Sequence, residues 1–380
     1  MKKLSSFHFP TNIIFGAGSS NVILDHLKVM KPKNVLIVSD PNVVKLDFFD
    51  RITNAVRDYV AVEVFSSFSP NPISTEIDKA KTSLSLSNPS LIIGLGGGAS
   101  IDVAKALSVS LSHPEKVLSY DEALGGDKKI DPQKIIPTWA IPTTSGTGSE
   151  VGRSAVISDE VTKQKKILFH PQMIPRLVFC DPELTQSLPP KVTAQTGIDA
   201  FVHLFEAYCA PGFHPMADGI ATEGMRLIEK SLIRSINAPD MESRTNMMAA
   251  AMMGAVAFQK GLGNIHSCAH SLSACFDIHH GLANGVMLPY GAQINIAHLG
   301  NKAETIAKMF GTSDSKQEDL PHLLLDLVSE SGLPTNLGAF DIMESDCDKL
   351  SKFAFEDGCH FTNAKPMTEV LFRKMFISAL

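Results

Sequence analysis

The sequence predicts an α/β N-terminal domain built on a parallel sheet, followed by an all-α C-terminal domain. Three observations predict it. Short β-branched runs alternate with helical patterns through the first half, as in βα units that cover both faces of a sheet. A glycine cluster ends one of those runs and opens a helix. After Pro189 and Pro190, segments rich in Ala, Leu and Met at helical spacing replace the strand-like runs. A chain of 380 residues also exceeds one comfortable core, and the change of texture puts the boundary near residue 188, giving domains 1–188 and 189–380.

The elements follow in order. "NVLIVSD" at 34 to 40, "VAVEVFS" at 60 to 66 and the start of "SLIIGLGGGASIDVAKALSVSL" at 90 to 111 read as buried strands, the last running into a helix. "WAIPTTSGTGSE" at 139 to 150 reads as a short strand entering a polar turn, and "RLVFCDPELTQSLPP" at 176 to 190 as another buried strand. "KVTAQTGIDAFVHLFEAYCA", "MADGIATEGMRLIEKSLIRSI", "SRTNMMAAAMMGAVAFQK" and "LPHLLLDLVSES" read as helices.

Composition narrows the partners. With 44% hydrophobic and 19% charged residues the chain is a globular protein, and a net charge of −6 without a long basic block gives no footprint for nucleic acid or an anionic membrane. The start "MKKLSSFHFPTNIIFG" has a basic pair but no continuous apolar run, so no signal peptide is expected, and no stretch reaches the length of a membrane span. The six cysteines form no CxxC pair, which suits free thiols in a reducing cytoplasm. A small molecule is the expected partner.

In "LIIGLGGGASIDVAKAL" the run ends in Gly96, Gly97 and Gly98, and the first N–H groups of the helix that follows have no partners inside it. An anion such as a dinucleotide pyrophosphate fits there. The spacing of Gly94, Gly96 and Ala99 matches the dinucleotide fingerprint only superficially, and the alternative is an ordinary turn whose Ser100 or Asp102 caps the helix. Asp40, at the end of "VLIVSD", is placed to accept from a ribose 2'-OH and to repel a 2'-phosphate, so NAD is expected over NADP. "PTTSGTGSE" at 142 to 150 offers hydroxyls in a second loop at the same expected sheet edge.

In the second half, Asp199 and His203 stand four apart in a predicted helix and so share a face. His266 and His270 repeat that spacing, and His280 follows a turn. One Asp and three His suit Zn²⁺ or Fe²⁺; the alternative is internal histidines bonded in a helix, with His279 and His280 on a surface loop. Glu206, one turn beyond His203, either accepts from a ligating imidazole or faces solvent.

The motifs "NIIFGAGS", "SPNP", "GLGGGASIDVAKA", "IPTTSGTGSEV", "DPELTQSLPP", "TGIDAFVHLFEAY" and "GLGNIHSCAHSLSACFDIHHGLANGVMLPYG", in this order, resemble the iron-containing, or group III, alcohol dehydrogenases over essentially the whole chain. The resemblance implies a dehydroquinate synthase-like fold: a nucleotide-binding α/β domain, a helical metal-binding domain, and a cleft for an alcohol and a nicotinamide. By matched positions it implies the ligands Asp199, His203, His266 and His280, with His270 as an orienting or proton-shuttling catalytic residue. On the cofactor side it implies Gly97, Gly98 and Ser100 in the phosphate turn, Asp102 near the ribose, Thr143, Thr144, Thr147 and Ser149 in the second loop, and Lys165, or Lys166 one place on, at the ribose. It further implies Fe²⁺, with Zn²⁺ able to occupy the same donors, a small alcohol or aldehyde as substrate, and a homo-oligomer, a dimer. "HSLSACFDIHHG" departs from the family in lacking a frequent "HPLG" and the proline often found at position 279, and "NAKP" at 363 to 366 stands where "NPRP" is common.

The expected reaction is hydride transfer between a small primary alcohol or diol and the nicotinamide, with the metal polarising the alcohol or carbonyl oxygen. The alternatives are a hydroxyacid-oxoacid transhydrogenase or specialised carbonyl reductase of the same fold, and a noncatalytic protein that binds nucleotide and metal.

Overall fold

The computed structural model describes residues 9, 11–86 and 88–380; the basic pair Lys2 and Lys3 lies outside the described residues. The runs of β-branched residues form strands β1 (Asn12–Phe15), β2 (Asn34–Val38), β3 (Ala61–Phe65), β4 (Leu91–Gly96), β5 (Thr138–Pro142), β6 (Ser154–Ser158), β7 (Lys165–Phe169) and β8 (Leu177–Cys180). Between them run α1 (Ile23–Met30), α2 (Asp47–Arg57), α3 (Ser74–Ser83) and α4 (Gly98–Ser110). Six strands form one sheet in the order β1-β8-β5-β4-β2-β3, every neighbouring pair parallel.

Alternation along the strands builds two apolar layers. Val35 and Ile37 of β2 face Phe49, Ile52, Trp139 and Phe179 on one side. Leu36 and Val38 face Ile77, Val103 and Leu107 on the other. Burial on both faces is why these strands read as unbroken apolar runs.

Two features of this unit were not among the expected elements. β1 is a four-residue edge strand joined to β8, and the Asp181 carboxylate secures the junction by accepting from Gly18 N at 3.0 Å, Ser20 N at 3.0 Å and Ser20 Oγ at 2.7 Å. β6 and β7 form a separate antiparallel hairpin, in register from Ser154↔Phe169 to Ser158↔Lys165. Its turn is closed by Asp159, which accepts from Val161 N and Thr162 Oγ1.

After residue 187 the described chain is helical: α5 (Pro190–Cys209), α6 (Pro215–Asn237), α7 (Met241–Ala257), α8 (Asn264–Phe276), α9 (His280–Leu299), α10 (Asn301–Phe310), α11 (Leu320–Glu330), α12 (Cys347–Glu356) and α13 (Glu369–Ser378). Helix α5 is buried along nearly its whole length and packs against α6, α7 and α9. A helix apolar all round belongs in such a centre. The polar residues within it therefore need partners, and they find them in the cluster described below.

The chain divides into two compact units. One comprises 9–144 and 148–187; the other comprises 145–147 and 188–380.

Candidate active site

In the sheet unit, the chain runs from β2 to β3 in one direction and to β4 in the other, so the strand order reverses between β2 and β4. Open α/β sheets bind ligands at the carboxyl ends of the strands that flank such a reversal. Asp40 follows β2, and Gly96, Gly97 and Gly98 end β4 and open α4. Gly96 has φ near +150°, and a Cβ there would lie 2.4 Å from Ser100 Oγ, so only glycine fits. Ser100 is fully buried; its Oγ accepts from Asp40 N at 3.1 Å and donates to Asp40 Oδ2 at 3.4 Å. Asp40 Oδ1 accepts from Asn42 N and Val43 N. Ser100 thus locks the acidic turn beside the glycine turn. The first turn of α4 carries no acidic side chain, which leaves its positive end for an outside anion.

The second loop is organised from within the same unit. Thr143 N donates to Gly96 O at 3.0 Å, and Thr144 lies against Gly97. Asp102 has both carboxylate oxygens engaged by the protein: Oδ1 accepts from Ser149 Oγ and pairs with Lys105 at 3.1 Å, while Oδ2 accepts from Val156 N at 3.1 Å. Lys105, only 1% exposed, also donates to the carbonyls of Ser149 and Ser154. Asp102 and Ser149 therefore brace the loop through a buried ion pair. Glu150 is buried beside them, and desolvation raises its carboxyl to about 7. Thr147 falls in the segment grouped with the helical unit. Lys165 lies on β7; its neighbour Lys166 faces Asp121 at 3.8 Å and donates to Gln164.

In the helical unit, α5 carries Asp199 and His203 one turn apart, α8 carries His266, and α9 begins at His280. Their ligand atoms, one from each side chain, all lie within 4.8 Å of one another. The rings of His203 and His266 stack at 4.6 Å, and His280 Nε2 is 3.5 Å from Asp199 Oδ1. His279 is exposed as the residue before α9, so of the adjacent pair only His280 turns inward. Gly281 makes this approach possible, because a Cβ there would meet Gln195 O at 2.1 Å and Asp199 Cβ at 3.1 Å.

Electrostatics suit a cation. Burial lowers His203 to about 4 despite the opposing pull of Asp199, with His266 and His270 pushing in the same direction as burial. Its imidazole is neutral at pH 7 and keeps a lone pair for a ligand bond. His266 Nδ1 lies 2.6 Å from Glu206 Oε2; a carboxylate only accepts, so the proton sits on Nδ1 and Nε2 keeps the lone pair. Glu206 is buried and also accepts from Gly263 N and Ile265 N at the start of α8, which resolves its two readings in favour of the imidazole partner.

Three further residues enter without a local sequence signal, Asn284 at the four-residue cluster and Asp357 and Cys359 at His270. Asn284 Nδ2 donates to Asp199 Oδ1 at 2.8 Å and lies 3.4 Å from His266 Nε2 and 3.3 Å from His280 Nε2. Asp357 Oδ2 is 2.8 Å from His270 Nδ1, and Cys359 Sγ is 3.9 Å from the same nitrogen. Burial alone would raise the Asp357 carboxyl, yet His270 and the hydrogen bonds from His270, Cys359 N and Ser267 hold it below the usual carboxylate range. His270 stacks on His280 at 5.1 Å, beside the four-residue cluster.

A glycine turn at the reversal of a parallel sheet and a helical unit carrying an Asp–His–His–His cluster define a nicotinamide-linked alcohol or aldehyde oxidoreductase. The chain belongs to the iron-containing alcohol dehydrogenase family: the model described as "Iron-containing alcohol dehydrogenase" matches residues 10–182, and "Fe-containing alcohol dehydrogenase family, C-terminal" matches 193–380. It is 32% identical to a 4-hydroxybutyrate dehydrogenase of Cupriavidus necator, over 98% of this chain and 99% of the relative. Among solved structures, it resembles a 1,3-propanediol oxidoreductase with a TM-score of 0.92 at 26% identity, covering 100% of both chains. It also resembles the sulfoacetaldehyde reductase of Bifidobacterium kashiwanohense in complex with NAD+, with a TM-score of 0.90 at 28% identity, covering 99% of this chain and 99% of the other.

Proposed function

We propose that the protein is an iron-dependent, NAD-preferring dehydrogenase of small primary alcohols or diols, with Asp199, His203, His266 and His280 holding one divalent ion. The observation that supports this most directly is the meeting of one carboxylate and three imidazoles, with ligand atoms within 4.8 Å of one another, on three helices. Fe²⁺ is the first occupant expected from the family, and Zn²⁺ suits the same donors.

When bound, the ion supplies Lewis-acid polarisation of an alcohol or carbonyl oxygen, and the nicotinamide accepts or returns the hydride. The chain's own residues prepare that chemistry. Glu206 keeps the proton of His266 on Nδ1, and Asp199 stays a carboxylate as a ligand instead of serving as the general base. Asp357 accepts from His270 Nδ1 and so turns Nε2 toward the role of accepting or relaying the substrate's proton. Gly97, Gly98 and the buried Ser100 shape the pyrophosphate turn, and Asp40 takes the ribose 2'-OH. Thr143, Thr144, Thr147, Ser149, Asp102 and Lys165 complete the nucleotide side; for Asp102 and Ser149 the contribution is through the loop they brace. A cytoplasmic homodimer belongs to the same proposal. Among the described residues no helix is long and apolar enough to cross a membrane.

The test is a panel of short primary alcohols, diols, 2-hydroxy acids and their carbonyl partners with NAD(H) and NADP(H), on Fe²⁺- and Zn²⁺-loaded protein. One ion per chain on the four named residues by anomalous scattering, with alcohol-dependent NADH formation, is the expected result. Ligation by His279, or bound metal with no turnover of any pair, refutes it.

A further inference from the structure

Beside the four-residue cluster, a second set of donors converges in the helical unit. His270 Nδ1, an Asp357 carboxylate oxygen and Cys359 Sγ all lie within 4.8 Å of one another. Asp357 is fixed before any ligand arrives: its Oδ1 accepts from Ser267 Oγ at 2.8 Å and from Cys359 N at 2.9 Å, and Ser267 Oγ in turn accepts from His360 N at 3.1 Å. The Cys359 N–H bond to Asp357 opens the 3-10 turn Gly358–Thr362 and brings the thiol to the same side as His270. All three residues are half-buried, so solvent reaches the set.

We propose that His270, Asp357 and Cys359 form a second, thiolate-containing site for a thiophilic divalent cation of the zinc type. The donors are one nitrogen, one oxygen and one sulfur, with the fourth tetrahedral position left to water, an arrangement zinc accepts. The geometry is close to what the ion needs. Zinc bonds of about 2.0 to 2.3 Å place tetrahedral donors roughly 3.3 to 3.6 Å apart. The nitrogen–oxygen pair stands at 2.8 Å and the nitrogen–sulfur pair at 3.9 Å. One edge must open and the other close, each by about half an ångström, within reach of side-chain rotation. Binding at Nδ1 leaves the imidazole proton of His270 on Nε2 and displaces the thiol proton of Cys359, so one proton leaves per ion and no redox step is involved.

Occupancy here removes the hydrogen bond that orients His270. Excess zinc is therefore an inhibitor of the enzyme, a consequence that rests on the role proposed for His270, whereas the binding itself does not.

The experiment adds Co²⁺, anaerobically, to iron-loaded protein and follows the near-ultraviolet sulfur-to-cobalt charge-transfer band. The four-residue cluster contains no sulfur, so the band reports a thiolate site, and Cys359→Ser distinguishes that site from the other five cysteines. The wild type gains the band with one equivalent of Co²⁺, and Cys359→Ser loses it while keeping its iron. Absence of the band in the wild type, or its persistence in Cys359→Ser, overturns the site. A strong band with no inhibition leaves the site standing and removes only the role assigned to His270.

Discussion

Replacing Glu206 by Gln tests how the cluster is tuned from behind. The carboxylate accepts three hydrogen bonds: from His266 Nδ1 at 2.6 Å, Gly263 N at 2.9 Å and Ile265 N at 2.7 Å. An amide has one accepting oxygen. Its best orientation places that oxygen where Oε2 now serves His266 and Gly263, and turns the NH₂ against the Ile265 N–H. One buried donor then loses its partner at about 1 to 3 kcal/mol, and the negative charge at the start of α8, worth up to about 2 kcal/mol, disappears. Against this, the substitution removes the cost of burying a carboxylate, so the metal-free protein changes little in Tm. The metal does not share that compensation. Loss of the charged partner lowers the basicity of His266 Nε2, and such outer partners are typically worth 10- to 100-fold in affinity, about 1.4 to 2.7 kcal/mol. The assay is chelator competition for Fe²⁺ or Zn²⁺, paired with Tm of loaded and metal-free protein. The expected outcome is a Kd raised at least about tenfold and a smaller gain in Tm on loading. A Kd within about threefold of wild type, with metal on the four residues, refutes the argument.

Gly281→Ala should lower Tm by forcing α9 away from α5, an overpacking cost of about 1 to 3 kcal/mol, and should weaken metal binding because His280 moves with it; unchanged Tm and metal content would show that the 2.1 Å contact relaxes freely. Glu150, held at about 7 when folded against 4.5 as an ordinary carboxyl, is protonated in the folded protein over a range where the unfolded chain is ionised. Its contribution is fully present below pH 4.5 and is lost as pH rises through 7, on the order of 3 kcal/mol, so Glu150→Gln should flatten the decline of Tm between pH 5 and 8.5; parallel wild-type and variant curves would count against this. Asp40→Asn keeps a turn acceptor and removes the charge. The ratio of kcat/KM for NADP to that for NAD should rise about tenfold or more, since a carboxylate beside a 2'-phosphate costs on the order of 1 to 2 kcal/mol even in a water-like dielectric; an unchanged ratio takes Asp40 out of cofactor selection.

What the sequence determined by itself is what repeats over a few residues. The βα alternation of the first half, the helical texture after Pro190, and the i,i+4 spacing of Asp199 with His203 were readable because each signal lies within one turn or one strand. Short elements without such a period escaped: β1 pairs with β8, and β6 chiefly with β7, far along the chain or across a turn. The polar partnerships belong to the tertiary structure. Glu206 reaches His266 across 60 positions, Asp357 reaches His270 across 87, and Asn284 reaches Asp199 across 85. Asp102, matched by resemblance to the ribose region, spends its carboxylate on Ser149, Val156 and Lys105. An acidic side chain carries no local mark of its partner, because a carboxylate accepts equally from an imidazole, an ammonium or a backbone N–H. Which donor it meets is decided when apolar burial has brought distant helices and strands together and every enclosed polar atom must find a bond.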